Sequence, residues 1–328
     1  MDKIKYEFPE DTKYLKILPI IKGVKGRWIK CFPNILGEVL IVADNKVFDI
    51  DLNEIIFPRI SNGENIDIGI VQRALNGDYI IAEIRNNGIV PNCFIFDKDR
   101  KFKAMFRIGD AVEKLLVDKN YNIWVGYFDE GAFGSDNLST RGINCFAKDG
   151  KLVTSFFGDK RFSISAIDNL NIGDDGIIYI CSWDDNKILE IKEGNLRIIE
   201  DKIPAGSPDA LMITDKYYIK LGAGYRKGDP FQTLEEGAYT SLSLKTGESY
   251  NSPNLELLDE NDYKIYQTCI TVIDRKTQEP YLLQILDENN NPLKMLHGEV
   301  YKDKSYYMVD NNIYEITASQ ILNALNLP

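Results

Sequence analysis

The chain has 328 residues, with 50 Asp and Glu against 39 Lys and Arg and a formal net charge of −11. Nucleic acid and anionic membranes are therefore not expected partners, because phosphate binding needs a Lys/Arg surplus on at least one face. No apolar run approaches the roughly 20 residues of a membrane span, and Met1 to Glu7 interleaves charge with apolar residues where a signal peptide would be continuously apolar, so a soluble, cytoplasmic, monomeric chain is expected.

In chain order, one unit recurs. A turn rich in Gly, Asn or Asp is followed by a strand of alternating β-branched and aromatic residues, then a second strand and another polar turn. The strands run from Gly37 to Val42, Asp78 to Ala82, Asn122 to Gly126, Gly176 to Ile180 and Lys216 to Lys220. A weaker candidate is Tyr281 to Ile285, and Ser305 to Val309 closes the series. The partner strands are alike as well: Asn92-Cys93-Phe94-Ile95-Phe96-Asp97 parallels Asn144-Cys145-Phe146-Ala147-Lys148-Asp149. A repeat of roughly 40 to 55 residues fits four short strands per unit, the arithmetic of a propeller blade.

Residues 255 to 317 are long for one blade and short for two, which favours six blades and leaves seven possible. The expected fold is all-β, one β-propeller domain over residues 1–328. Tyr14 to Ile21 is expected to close the ring against the C-terminal blade, removing an exposed sheet edge. Ala318 to Leu325 reads as a short C-terminal helix.

Cys31, Cys93, Cys145, Cys181 and Cys269 are far apart and form no C-x-x-C pair. They read as buried thiols acting as small hydrophobes. With His297 as the single histidine, zinc sites and paired-imidazole mechanisms are disfavoured, and a Ser-His-Asp triad has one candidate.

In a propeller the connections from second to third strand and from blade to blade share one face. Two of them are long, Phe128 to Asn144 in blade 3 and Gly222 to Thr240 in blade 5, and long loops on a rigid scaffold are where binding residues gather. The first carries Tyr127, Phe128, Asp129 and Glu130, and the second Tyr225 and Arg226; Trp183 and Asp184 project from blade 4. Aromatic faces beside charges suit a small-molecule or peptide pocket. Packing the loop down explains Tyr127, Phe128 and Phe133 equally well.

Aligning the innermost strands by their turns puts Glu113, Asp168 and Asp209 in one column near the loop-bearing mouth, with Gly69 in blade 2 and Asp67 close by. Converging carboxylates are ligands for a hard, calcium-like divalent cation. The same column also reads as the ordinary polar lining of a channel.

The Asn122 to Gly126 strand after the Val117 to Asn120 turn resembles the propeller repeats of two-component sensor ectodomains. The string from Gly109 through Trp124-Val125-Gly126-Tyr127-Phe128-Asp129-Glu130-Gly131 is similar to a group of free-standing bacterial propeller proteins. That resemblance implies the fold and lends no activity.

Two functions follow as expectations. The first is a binding propeller without catalysis, taking a basic protein or a small molecule, in one form an intracellular inhibitor or immunity protein. The second is a metal-dependent hydrolase or lactonase, with an ion held by Glu113, Asp168 and Asp209.

Overall fold

The structure is a computed structural model that describes residues 13–59, 65–86, 90–156, 166–173, 175–182, 187–200, 210–222, 269–293 and 298–328, the side chains of Asp168 and Ser182 excepted. Their strands form six sheets, arranged as the blades of a β-propeller.

Blade 1 runs outward from Lys30–Pro33 through Val39–Ala43 and Lys46–Phe48 to Glu54–Ile55. Blade 2 is Ile70–Arg73, Tyr79–Ala82, Cys93–Phe96 and Phe102–Phe106. Blade 3 is Val112–Val117, Ile123–Tyr127, Ile143–Phe146 and Leu152–Ser155, and blade 4 is Ile167–Ile172, Ile178–Ser182, Ile188–Lys192 and Asn195–Glu200. Blade 5 is Ala210–Ile213, Tyr217–Leu221, Cys269–Asp274 and Pro280–Leu286; blade 6 begins with Glu299–Tyr301, Lys304–Val309 and Asn312–Thr317. Each innermost strand touches the next around a closed ring.

The second strands are apolar along their whole length because neighbouring blades cover both faces: Val39–Ala43, Tyr79–Ala82 and Ile123–Tyr127 are buried throughout. Outer strands such as Phe102–Phe106 mix exposed and half-buried positions. All five cysteines are buried and free. Burial, with the nearby charge of Glu299, pushes the Cys31 thiol up to about 12.

One hairpin geometry recurs. In Asp49–Asn53, Asp97–Lys101 and Asp118–Asn122 the fourth residue returns its N–H to the first carbonyl, and the first N–H reaches the fifth carbonyl. The fourth residue is left-handed in each, at φ 63 for Leu52, 65 for Arg100 and 64 for Tyr121. Glycine ordinarily takes this place. Here the leading Asp carboxylate accepts the N–H groups of the third and fifth residues, which holds the turn without it.

The N-terminal segment closes the ring in two steps. Lys13–Lys16 adds a parallel fifth strand outside Pro280–Leu286 of blade 5, and Pro19–Ile21 then pairs antiparallel with Asn312–Thr317 as the outer strand of blade 6. Between them Ile17 donates its N–H to Leu286 at 3.0 Å and buries its side chain among Leu283, Ile285 and Tyr314. The C-terminal helix Ala318–Leu325 packs Ile321 into the same core, and a capping box of Thr317 and Gln320 starts it. Tyr281 to Ile285 proves to lie in the fourth strand of blade 5, inside Lys13–Lys16, not at the start of a unit. The blade-5 connection expected to end at Thr240 lies outside the described residues, and the next described strand there begins at Cys269.

Candidate recognition face

The turns from first to second and from third to fourth strand share one face of the ring. The other face carries the second-to-third and blade-to-blade connections. Among described residues the latter is most elaborate over blades 2 and 3, where the expected loop after Phe128 contains a single helical turn, Asp129–Ala132, and a 3-10 turn, Ser139–Arg141.

This loop is braced from below. Tyr127 is wholly buried; its hydroxyl donates to the Ile108 carbonyl at 2.6 Å and accepts from Asn144 at 2.8 Å. Burial raises its phenol well above the ordinary range. Asn92 donates to the Gly109 carbonyl at 2.7 Å and accepts from Ile108 N–H at 2.9 Å. Ser139 Oγ receives Asp110 N–H at 2.7 Å, and Arg107 ion-pairs with Asp136. Close approach makes two glycines necessary: a Cβ on Gly131 would stand 2.8 Å from the Asp110 carbonyl, and one on Gly109, at φ 106, would stand 2.8 Å from Ser139 Oγ. Tyr127 thus supports the loop from the core and does not line its surface.

Its neighbours do face outward. Phe128 is half-buried beneath the Arg85 guanidinium, 5.5 Å from ring centre, and Arg85 pairs with Glu130 at 3.1 Å. Asp129 and Glu130 are exposed, and Phe133 is 66% exposed. Trp183, Asp184, Tyr225 and Arg226 lie outside the described residues, as does His297.

Two members of the expected carboxylate column, Glu113 and Asp168, can be placed on the backbone. Glu113 is skipped in the pairing between Val112↔Tyr127 and Lys114↔Gly126; Asp168 is skipped in the same way between Ile167↔Ser182 and Asn169↔Cys181. Both occupy a β-bulge at the same place in consecutive blades. Glu113 is half-buried and Asp209 lies outside the described residues. Among the described residues, no three His, Cys, Asp or Glu side chains group as metal ligands.

Below this level the ring interior is bridged. Buried Lys114 of blade 3 meets Glu299 of blade 6 at 2.8 Å. Asn171 of blade 4 donates to the Leu211 carbonyl of blade 5 at 2.9 Å and to the Lys302 carbonyl of blade 6 at 2.8 Å, and accepts from Lys302 N–H at 2.8 Å. Sequence reading missed these ties because each joins residues far apart in the chain, 40 positions for Asn171 and Leu211 and more than a hundred for the two that reach blade 6.

It also missed Trp28, on the connection from blade 6 to blade 1. The indole is 91% exposed, on a backbone at φ 56. The signal lay in composition: between Asp11 and Glu38 there are six cations and no carboxylate.

No family model matches the chain, and no curated protein matches it in sequence. Among solved structures it is similar to a streptogramin B lyase, with a TM-score of 0.50, 12% identity, and 88% of this chain and 78% of that one covered. It is similar to the extracellular domain of a proposed hybrid two component system from B. thetaiotaomicron, with a TM-score of 0.50, 11% identity, and 88% and 34% covered. The chain spans about a third of the length of that ectodomain. A proposed gluconolactonase matches at a TM-score of 0.48, 11% identity, and 94% and 93% covered. At these identities the likeness is one of fold: the chain is a six-bladed β-propeller.

Proposed function

We propose that the protein is a recognition propeller without catalysis, which binds a protein partner on the loop-bearing face. The carrying observation is the braced loop of blade 3. Buried Tyr127, Asn92, Asn144 and Ser139 hold it rigidly, while Phe128, Asp129, Glu130 and Phe133 are presented outward. Affinity favours such preorganisation, because no loop ordering is lost on binding. The net charge of −11 supports a cationic partner overall, captured faster through electrostatic steering. An inhibitor that blocks a basic enzyme or toxin is one concrete form.

The test is to recover partners from the host with the wild-type chain and with Phe133→Ser or Asp129→Lys/Glu130→Lys chains. A stoichiometric protein lost with these variants supports the reading. Recovery unchanged by all of them refutes it.

A second reading has one observation in its favour, the shared bulge of Glu113 and Asp168. In that reading these residues and Asp209 hold a calcium-like cation that serves a hydrolase or lactonase. Calcium should then raise the melting temperature of wild type and not of a Glu113→Gln/Asp168→Asn variant. Equal response of both to every divalent cation ends this alternative.

A further inference from the structure

We propose that Trp28 anchors a protein-docking site on the loop face, and that its partner offers an apolar helix face flanked by carboxylates. This rests on reading that face as a recognition surface, and it names the chemistry of one partner site.

The first argument is backbone conformation. A large residue in the left-handed region is uncommon, and such backbone strain persists only where the surroundings over-determine it. They do so here from two blades. Gly23 and Val24 donate to Asn312 Oδ1 and the Asn311 carbonyl of the blade 6 turn at 3.1 and 2.8 Å. Arg27 N–H donates to Asp44 Oδ1 at 2.8 Å, and Asp44 N–H returns to the Arg27 carbonyl at 3.2 Å. Gly26, at φ 139, lets the chain pass over blade 1, since a Cβ there would stand 2.9 Å from that of Ala43. The indole is therefore held out in water by a fixed platform. Among the described residues it belongs to no core cluster.

The second argument is charge. Lys22, Lys25 and Arg27 are exposed around Trp28, with Lys30 beside them; Lys22 reaches Glu288 at 2.8 Å. With Glu288 on Lys22 and Asp44 beside Arg27, the surplus left is Lys25, Arg27 and Lys30, a small basic island in an acidic chain. Trp and Arg are the residue types most enriched among binding hot spots. Val90, 59% exposed on blade 2, and Phe133 on blade 3 continue the apolar tips around the same face.

The third argument concerns partner class. A nucleic acid or an anionic bilayer needs an extended basic surface, and Asp129 and Glu130 stand exposed on this face. A helix face flanked by a few carboxylates needs only the island.

The test uses the full chain, with a synthetic amphipathic helix bearing Leu on one face and Glu on its flanks as probe. Binding should shift indole emission to shorter wavelength. Trp28→Ala should weaken it roughly 30-fold by calorimetry, the scale of a hot-spot truncation. Lys25→Glu/Arg27→Glu should lose the Glu-flanked helix and gain a Lys-flanked one. No binding by wild type, or equal binding by Trp28→Ala, overturns the proposal. So does Trp28-dependent binding to oligo-dT or phosphatidylserine vesicles without binding to the helix. If Phe133→Ser abolishes binding and Trp28→Ala does not, the Trp28 anchor fails while the loop-face reading survives.

Discussion

Lys114 Nζ and Glu299 Oε1 lie 2.8 Å apart and join the inner strands of blades 3 and 6, which stand opposite one another in the ring. The two side chains are only 8% and 15% exposed. Removing one partner of a buried pair leaves the other charge uncompensated, which costs about 3–5 kcal/mol, whereas apolar replacement of both is often close to neutral. Lys114→Met alone should therefore lower the urea midpoint strongly, and Lys114→Met/Glu299→Leu should regain most of it. A double variant as unstable as the single one would mean that the tie cannot be replaced by packing.

The loop brace makes a local prediction. Gly109→Ala places a side chain at φ 106 and against Ser139 Oγ; backbone strain of this kind costs roughly 1–3 kcal/mol. The blade-3 loop should loosen before the ring does. Amide hydrogen exchange should accelerate between Asp129 and Gly142 and stay unchanged in Ile270 to Ile273 of blade 5. Uniform acceleration would place Gly109 in the global core instead.

On the opposite face, Asp78 ties blade 2 to blade 3. Its Oδ2 accepts from Lys103 at 2.6 Å, Tyr121 at 2.8 Å and Asn76 at 3.0 Å. Burial raises its pKa, but these hydrogen bonds and the Lys103 charge outweigh that, and the net direction is downward. A carboxyl lowered on folding stabilises fully above its unfolded value, about 3.9. The contribution is lost as pH falls through the still lower folded value. Wild type should lose stability below about pH 4 more steeply than Asp78→Asn, measured by urea midpoints from pH 7 to pH 2.5. Parallel curves would remove Asp78 from the acid response.

Fold and site were legible to different depths for a physical reason. Blade count, the C-terminal helix and the closing segment follow from turn residues and strand periodicity, which are local. The matching positions of Glu113 and Asp168 were legible as an alignment of inner strands, since each lies at the same spacing from its turn; the bulge at each was not. The role of Tyr127 was not, because an aromatic at a strand end reads alike whether its hydroxyl meets solvent or, as here, Ile108 and Asn144. Trp28 was overlooked because its segment carries no repeat signal; its exposure depends on Asp44 and Asn311, contributed by blades at the two ends of the chain.

The same closure yields the last prediction. Residues 13–21 run from the edge of blade 5 to the edge of blade 6, so their removal uncovers two sheet edges at once, Pro280–Leu286 and Asn312–Thr317. Ile17, 3% exposed, is the residue at the crossing. Ile17→Ala should cost about 2–5 kcal/mol through the cavity it leaves. A chain lacking residues 1–21 should do more than lose stability, because unpaired edges recruit other strands. It should elute as oligomers in size-exclusion chromatography with light scattering. A synthetic peptide of residues 13–21 should return it to monomer, whereas the same peptide with Ile17→Asp should not, since the edge hydrogen bonds alone do not fill the space between Leu283 and Tyr314. A truncated chain that stays monomeric without the peptide would show that the helix Ala318–Leu325 covers those edges unaided.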